Sequence, residues 1–538
     1  MKIQQIFPCI AVLAATQLGA TNLGAAIEDW QFDEAADTQL SGLINSVGSA
    51  AWGGDVPNVV TDGNGNLDFT VSVDDPETAE TDESTNSLFR NSDLTTAQST
   101  GKFELAFTYT AADLSTGDLT GANVGFTIRN LANTDLLNVR LQKQSGTLRL
   151  QRRDSNTGTN TDLEDFGVTS LAGPLSVRVI LDLDTDTYDV EWTPDGEGTR
   201  CQTNIPMDLP SLNMERLRMY ASTNATDWGA TDSVQVEFLT LSNYVASAAP
   251  STTAIEDWQF DIDSQSLGHA QNDAGAANLG GNADNAVTSS GDLVFTQGID
   301  TGDNIFRNGG ITNPDQGTGR FQMDWHVSSA DLSTGDLTGA NVGFGIRDDG
   351  NTDLFTVRLH KQNGTLRLQH RVGTTNTNLV DFGTTTLTDL TVSVIADMDT
   401  DTFSVSWQLA GDLGGCWSGI PMAATGLEFD IIRTAANTNT NDWGATDQIA
   451  IDYLTISELS DTPAELSLSV QSGPGAGEIT LVWPTTTPGS AVLQESTDLG
   501  GTDPWSEVVG SPVINGPNYE LTITIGPDSN FYRLNTTP

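Results

Sequence analysis

The stretch Ala112-Asp-Leu-Ser-Thr-Gly-Asp-Leu-Thr-Gly-Ala-Asn-Val-Gly-Phe126 occurs twice in this chain and decides how the rest of the sequence divides. It returns without a change at Ala330–Phe344. Apolar and polar residues alternate on both sides of each copy, as at Phe103, Leu105 and Phe107 before the first one. Alternation with a period of two predicts half-buried strands, and the Gly-, Asp- and Thr-rich middle predicts the connection between them. The chain therefore contains a duplicated strand–loop–strand unit.

The duplication extends over most of the chain. Ala26–Asp33 is repeated as Ala254–Asp261, and Asp227–Asp232 as Asp442–Asp447. The period, 218 residues between Ala112 and Ala330, exceeds that of a solenoid repeat or a propeller blade, so each repeat is a whole domain. Short alternating segments between Gly, Asn and Asp turns, without helical periodicity, predict antiparallel β-sandwiches. We expect a signal peptide at 1–25, repeat one at 26–246, a linker at 247–253, repeat two at 254–460 and a small C-terminal β-sandwich at 464–538.

The charge balance restricts the partners. The formal net charge is −50, from 72 acidic and 22 basic residues among 538. Such a chain repels nucleic acid and anionic membrane surfaces, so neither is an expected partner. A basic start followed by the apolar run Ile6–Leu18 and small residues is typical of a signal peptide. We therefore expect a secreted or cell-surface protein without membrane insertion.

Cys201 and Cys416 occupy equivalent positions in the two repeats. One thiol per repeat cannot form a bridge within a domain. We expect buried free thiols, with a bridge between the repeats as the alternative. No Cys/His cluster accompanies either residue in the sequence, so no metal site is predicted there.

A predicted hairpin in each repeat carries arginines on one face. In repeat one, Val139 and Leu141 alternate with polar residues, and the pattern continues after the turn at Ser145-Gly146. Arginine forks bind carboxylate and sulfate, and glutamine amides suit sugar hydroxyls. The functional interpretation is a groove for an acidic polysaccharide; the alternative, which the pattern fits at least as well, is that these arginines neutralise nearby Asp and Glu in surface ion pairs. The candidate residues are Arg129, Arg140, Gln142, Arg149 and Gln151 in repeat one, and Arg347, Arg358, His360, Arg367 and Gln369 in repeat two.

Two further loops are candidates for ligands. Trp228 and Trp443 lie in the repeated Asp-Trp-Gly-Ala-Thr-Asp loops, where an indole could stack on a sugar or plug one end of a sandwich. Asp182–Asp189 resembles a calcium loop but lacks the Gly and Glu of an EF-hand, which favours a hairpin turn. No cofactor is predicted, and a structural calcium ion is left open.

The hairpin Ser176–Trp192 and the closing strand Val234–Leu241 resemble those of concanavalin A-like, laminin-G-like jelly rolls. This resemblance implies a lectin/glucanase-type sandwich, a fold that hosts lectins, carbohydrate-binding modules, polysaccharide lyases and glycosidases. The tail, with Val492–Leu499, Trp505 and Phe531–Leu534, is similar to the fibronectin-III-like C-terminal modules of exported bacterial proteins. The expected fold class is all-β: two tandem antiparallel jelly-roll sandwiches plus a small C-terminal β-sandwich.

The catalytic options of that fold find weak support in the residues. The resemblance implies that a lyase would need Arg, Gln, His and Tyr together. His326, His360 and His370 lie near the arginine face of repeat two, but no tyrosine partner is evident. The paired glutamates of a glycosidase on one strand are missing as well. We predict non-catalytic binding of an anionic extracellular polysaccharide, strengthened by two linked sites. The alternatives are a structural or adhesive surface protein, or a lyase acting in repeat two.

Overall fold

The computed structural model describes most of both repeats and parts of the tail. The described residues are 26–48, 51–52, 58–71, 87–154, 156–222, 227–244, 250–275, 277–279, 283–298, 304–312, 316–411, 413–460, 469–472, 478–484, 491–496, 506–508, 513–515, 518–524 and 531–536. The predicted signal peptide, 1–25, lies outside them. Among the described residues, no helix has the length and apolar character needed to cross a membrane.

The expected all-β fold is confirmed. Helical structure in the described part of the chain is limited to two 3₁₀ turns, Leu40–Gly42 and Leu267–His269. The strands of repeat one are β1 (Ala26–Trp30), β2 (Val59–Thr61), β3 (Leu67–Thr70), β4 (Ser87–Gln98), β5 (Lys102–Asp113), β6 (Asn123–Arg129), β7 (Asp135–Gln144), β8 (Thr147–Arg153), β9 (Asn160–Asp165), β10 (Leu175–Asp182), β11 (Thr187–Pro194), β12 (Arg200–Pro206), β13 (Met214–Ser222) and β14 (Ser233–Asn243).

Repeat two has the same succession of strands. They are β15 (Ser251–Trp258), β16 (Ala286–Ser289), β17 (Asp292–Thr296), β18 (Asn304–Gly310), β19 (Arg320–Asp331), β20 (Asn341–Arg347), β21 (Asp353–Gln362), β22 (Thr365–Val372), β23 (Thr375–Asp381), β24 (Thr386–Asp397), β25 (Thr402–Leu409), β26 (Gly414–Pro421), β27 (Ile431–Asn437) and β28 (Gln448–Ser460). One boundary differs from the expectation. The last linker residues, 251–253, already belong to β15 and pair with β28.

The tail forms two small antiparallel sheets, with strand orders β29-β30-β34-β33 and β32-β31-β35. Its strands are β29 (Ser469–Ser472), β30 (Glu478–Pro484), β31 (Ala491–Ser496), β32 (Ser506–Glu507), β33 (Val513–Asn515), β34 (Asn518–Thr524) and β35 (Phe531–Thr536). The β-structure agrees with the sequence pattern. The fibronectin-III-like resemblance stays a prediction.

Each repeat is built from two antiparallel sheets facing each other across a hydrophobic core. The six-stranded sheets have the orders β4-β13-β6-β7-β8-β9 and β18-β27-β20-β21-β22-β23. The larger sheets have the orders β12-β11-β10-β5-β14-β3-β2 and β26-β25-β24-β19-β28-β17-β16. Alternation turns every second side chain inward, so Phe107 of β5 meets Phe126 of β6 with ring centroids 4.7 Å apart. Trp325 and Phe344 meet across the second core at 5.6 Å.

The duplicated stretch closes one end of each sandwich. In repeat one, the ammonium group of Lys143, with 1% of its surface exposed, donates to the carbonyls of Leu114 and Gly117. The carboxylate of Asp232 accepts hydrogen bonds from the backbone amides of Thr116 and Gly117, both at 2.9 Å. Buried charges require partners of this kind, which gives the loop little tolerance for change. The same roles in repeat two belong to Lys361, Leu332, Gly335, Asp447 and Thr334.

The expectation of free thiols is wrong. Edge strands β12 and β26 pair antiparallel, which places Cys201 directly opposite Cys416, and the two form a disulfide. The larger sheets of both repeats are thereby joined into one 16-stranded sheet. Because the paired edges are equivalent strands, cysteines at the same position in each repeat meet at the centre of the contact. Beside them, the guanidinium of Arg200 lies over the ring of Trp417, 4.4 Å from its centroid.

The hairpin interpretation of the Asp-rich segment is confirmed. Strands β10 and β11 pair along their whole length, up to Asp182 opposite Thr187. The backbone amide of Asp184 donates to the carboxylate of Asp182 at 3.0 Å, as expected for an Asp at the start of a turn.

Candidate anion-binding face

The outer face of each six-stranded sheet carries the predicted arginines. In β21 of repeat two, Val357 and Leu359 are fully buried in the core, so Arg358 and His360 point to the opposite side. Pairing across the sheet aligns one outward row from β18 to β23. In repeat two, this row is Phe306, Ala435, Gly343, Arg358, Gln369 and Asn378. In repeat one, the row from β13 to β9 is Tyr220, Gly125, Arg140, Gln151 and Asp162.

A pocket opens on this face in repeat two. Its cavity volume is about 60 Å³, several times the roughly 10–15 Å³ that one ordered water needs. Its lining includes the small residue Ala435 of β27, which lies opposite Gly343 on the neighbouring strand β20. The pocket is lined by Phe306, Asn341, Asp353, Thr356, Arg358, Arg371, Arg433, Ala435 and Asn437. We call this surface the arginine pocket.

The guanidinium of Arg358 has only neutral hydrogen-bond partners. It donates to Gln369 Oε1 at 3.2 Å and to Asn376 Oδ1 at 3.1 Å. Burial, followed by repulsion from Arg371, lowers the pKa of Arg358 to about 10. Arg371 itself donates through Nε to the carbonyl of Gly373 at 3.0 Å. Within the described residues, neither of these two cations is paired with a carboxylate, so an incoming anion would relieve their repulsion.

The opposite wall of the pocket combines a paired arginine with an aromatic ring. Arg433 donates to both oxygens of Asp353, at 2.6 and 2.7 Å. Its guanidinium also lies over the ring of Phe306, 4.7 Å from the centroid. Phe306 is 49% exposed, which is unusual for a phenylalanine on a sheet. The wall therefore presents an open apolar ring next to a fixed cation.

Gln369 orders the residues beside the pocket. Its amide nitrogen donates to Gln362 Oε1 at 2.9 Å, which leaves its oxygen to accept from Arg358 and from His360 Nδ1 at 2.7 Å. His360 therefore carries its proton on Nδ1. Burial, with a further contribution from Arg358, lowers the pKa of His360 to about 4. The ring is neutral near pH 7 and acts as a positioning group.

Four predicted arginines are held in ion pairs, as the alternative interpretation of the face proposed. These side chains neutralise carboxylates at the edges of the sheets and brace the adjoining turns. The pairs are Arg129 with Asp135, Arg149 with Asp162 and Asp165, Arg347 with Asp353, and Arg367 with Asp381. The structure thus separates Arg358 from the other predicted arginines of repeat two.

The equivalent surface of repeat one is closed. Tyr220 takes the place of Ala435, and its ring is 7% exposed. The tyrosine hydroxyl donates to Asn138 Oδ1 at 2.6 Å and is hydrogen-bonded by Arg140, which is 3% exposed. Gln151 accepts from Arg140 at 3.5 Å, and Gln142 lies in the next outward row opposite Arg149. The predicted residues of repeat one are together, and the side chain of Tyr220 fills the position that Ala435 leaves open in repeat two.

The proposed sugar-stacking role of the two tryptophans is wrong. Trp228 and Trp443 are each 1% exposed, so neither ring has a face free for a sugar. Their indole nitrogens donate to the carbonyls of Ser222 and Asn437, respectively. The plug interpretation is the correct one.

Only one of the three histidines lies on the arginine face. His370 points to the core side, where its ring contacts Phe403 with centroids 5.6 Å apart. His326 lies on the larger sheet, stacked on Tyr453 at 5.7 Å and 3.2 Å from a carboxylate oxygen of Asp452. The histidine–tyrosine pair that the sequence did not reveal is thus on a different surface from the arginines.

Of the residues that line the pocket, the predicted site set contains only Arg358; the contributors it missed include Phe306, Arg433 and Ala435. The missing signal was a difference between the repeats. An outward tyrosine at 220 is replaced by alanine at 435, and a change from large to small on an otherwise matched face marks an opening.

No protein-family model matches this chain, and no curated protein matches it either. Among solved structures, it is similar to the CBM2 module of the evolved Dit of Lactobacillus casei BL23 phage J-1, at 10% identity and a TM-score of 0.28, over 39% of this chain and 97% of that one. It is also similar to lectin II from Ulex europaeus, at 12% identity and a TM-score of 0.27, over 38% of this chain and 100% of the lectin. The endo-1,3-beta-glucanase from Streptomyces sioyaensis is similar at 16% identity and a TM-score of 0.26, over 40% of this chain and 100% of the glucanase. Matches at this level carry no argument about function, which must come from the residues.

Proposed function

We propose that this protein binds an anionic extracellular polysaccharide, without catalysis, through the arginine pocket of repeat two. The observation that carries the proposal is the pair Arg358 and Arg371, two neighbouring cations with neutral partners at an open pocket. Two guanidiniums that are partly buried and repel each other are stabilised when an anion binds between them. A carboxylate or sulfate group accepts the charge-assisted hydrogen bonds that both guanidiniums offer.

The surroundings of the pocket favour a glycan over a free inorganic anion. Phe306 provides an exposed apolar surface of the kind that carbohydrate rings contact. The pocket lies on an open sheet face, which leaves room for a polymer to continue on both sides. Secretion, expected from residues 1–25, would place the protein where such polymers occur.

The lyase alternative gains no support from the second histidine surface. The side-chain neighbours of His326 include the carboxylates of Asp452 and Asp389, at 3.2 and 3.8 Å. These carboxylates would repel a uronate, whereas a lyase has to neutralise it. We therefore keep the non-catalytic proposal.

Calorimetric titration with an alginate oligosaccharide tests the proposal. The wild-type chain should bind, and its affinity should fall as salt rises, because partly exposed charge pairs are screened. Arg358→Ala combined with Arg371→Ala should lower the affinity on the order of 10²-fold or more, since a hydrogen bond to a charged group contributes roughly 1.5–3 kcal/mol.

The matched control is Arg140→Ala combined with Arg153→Ala at the equivalent positions of repeat one. This variant should retain the wild-type affinity. The proposal fails if the repeat-two double variant binds alginate and a sulfated glycan as tightly as the wild type while remaining folded.

A further inference from the structure

Tyr220 shows what the arginine pocket of repeat two is shaped to receive. In both repeats, a glycine lies between the two outward residues that form the sides of the row: Gly125 between Tyr220 and Arg140, and Gly343 between Ala435 and Arg358. A Cβ at Gly125 or Gly343 would lie 2.5 or 2.3 Å from the Cβ of the adjacent arginine, so this position has to be glycine. The glycine position is therefore the same in both repeats, and the repeats differ in the side chain beside it, which is Tyr220 in repeat one and Ala435 in repeat two.

In repeat one, the chain itself occupies this position. The buried six-membered ring is that of Tyr220, and its hydroxyl group accepts a hydrogen bond from Arg140. In repeat two, the ring is absent because Ala435 ends at Cβ. Arg358 lacks that hydroxyl partner and donates to Gln369 and Asn376 instead.

Neighbouring positions enlarge the same opening. Thr127 of repeat one corresponds to Gly345, and Asn138 to Thr356. Asn138 is the residue that fixes the Tyr220 hydroxyl at 2.6 Å, so repeat two lacks both the ring and its anchor. Three substitutions toward smaller side chains at adjacent outward positions describe a vacated ring site.

Resting on the function proposed above, we infer that the arginine pocket binds a single anionic pyranose residue, and that Tyr220 is a built-in occupant that closes the same site in repeat one. The pyranose ring lies over Ala435 and Gly343, with Phe306 and Arg433 on one side. Its anionic substituent reaches Arg358 and Arg371 on the other side. Of the two equivalent positions in the described residues, only that of repeat two is open to a ligand, and repeat one serves as scaffold.

The anionic substituent is either a carboxylate or a sulfate, since both accept two parallel hydrogen bonds from a guanidinium. A uronic acid residue would supply the first and a sulfated sugar the second. The two sources are separated by titrating a 1,4-linked uronic acid tetrasaccharide, a chemically sulfated neutral tetrasaccharide and the uncharged parent tetrasaccharide.

The test exchanges the residue between the repeats. The wild-type chain should bind one molecule of an anionic tetrasaccharide and show at least tenfold weaker binding of the uncharged parent. Ala435→Tyr, which copies a side chain that repeat one accommodates, should abolish binding. Tyr220→Ala should raise the stoichiometry from one to two.

A side-chain NMR measurement keeps the test decisive if Tyr220→Ala does not fold. On adding the tetrasaccharide to the wild-type chain, the Nε–H signal of Arg358 should shift and that of Arg140 should not. Two binding sites in the wild type, unchanged binding by Ala435→Tyr or a shifted Arg140 signal would overturn this inference while leaving the proposed function standing. Absence of binding to every anionic probe would instead overturn the proposed function.

Discussion

The two repeats share one scaffold but differ on one outer face. Lys143 and Lys361 hold the duplicated loop in the same way, and Trp228 and Trp443 plug the same end of each sandwich. The outward rows of the six-stranded sheets have diverged, with tyrosine closing one and alanine opening the other. Residues that satisfy buried charges are constrained by the fold, whereas an outward position beside a glycine can change without harm to the core. The proposed binding site therefore rests on the difference between the repeats.

The largest expected effect is a loss of stability on removing the buried tryptophan that the two repeats share. Trp228→Ala and Trp443→Ala should each lower the free energy of unfolding by about 3–5 kcal/mol, because each empties a buried plug. The effects should be similar in the two repeats. Denaturant titration measures them, with Trp→Phe at each position as the milder control. A small effect at either position would show that the plugs are not equivalent.

The Trp228→Ala variant also separates the plug from a sugar platform. Assayed under conditions in which it remains folded, this variant should bind the anionic tetrasaccharide as the wild type does. Weaker binding would return Trp228 to the ligand site.

The next effect concerns the connection between the repeats. Replacing Cys201 and Cys416 with serine should cost about 2–4 kcal/mol, the usual contribution of a disulfide. Glycan affinity should remain unchanged, because neither cysteine borders the arginine pocket. Peptide mapping without reductant should recover a Cys201–Cys416 linked peptide from the wild type. Recovery of both cysteines as free thiols would contradict the pairing of β12 with β26.

A smaller effect tests the aromatic wall of the pocket. Phe306→Ala should weaken binding of the anionic tetrasaccharide by about 1 kcal/mol, roughly fivefold, because in the proposed complex a sugar ring covers part of the exposed apolar face of Phe306. Phe89→Ala at the equivalent sequence position should leave affinity unchanged, since we propose that only repeat two binds the ligand. Calorimetry measures both variants. Equal losses would mean that the two faces contribute alike.

The smallest effect is a histidine-dependent loss of stability at acidic pH, which we expect in repeat two. His360 and His370 have pKa values lowered to about 4, with burial as the main cause, whereas repeat one has Gln142 and Arg152 at these positions. Between about pH 6.5 and 4, the unfolded chain binds more protons than the folded one. The stability of repeat two should therefore fall as the pH falls through this window.

His360→Gln should recover on the order of 1 kcal/mol of stability at pH 5, after allowing for the partial exposure of the ring, and should change little at pH 7. Hydrogen exchange followed by mass spectrometry assigns the change to repeat two. Equal acid sensitivity of β7 and β21 would contradict the prediction.

The all-β fold could be predicted because its signals are local. The alternation around Phe107 and Val139 reflects the two-residue period of a strand, so the side of the sheet taken by Arg140 and Arg358 followed from the leucines and valines between them. The turn at Asp182 was also readable, because an Asp side chain accepts a hydrogen bond from the backbone two residues on.

The remaining features depend on contacts between segments far apart in sequence. Cys201 meets Cys416 because two edge strands pair, and no local pattern encodes which edges meet. Arg149 is neutralised by Asp162 and Asp165 on the next strand, while Arg358 faces neutral amides, although both belong to the same alternating hairpin pattern. The residue composition and period of the strands determined the architecture and the face that carries the arginines. Only the tertiary structure decided which of these arginines have a carboxylate partner, because the partners come from other strands.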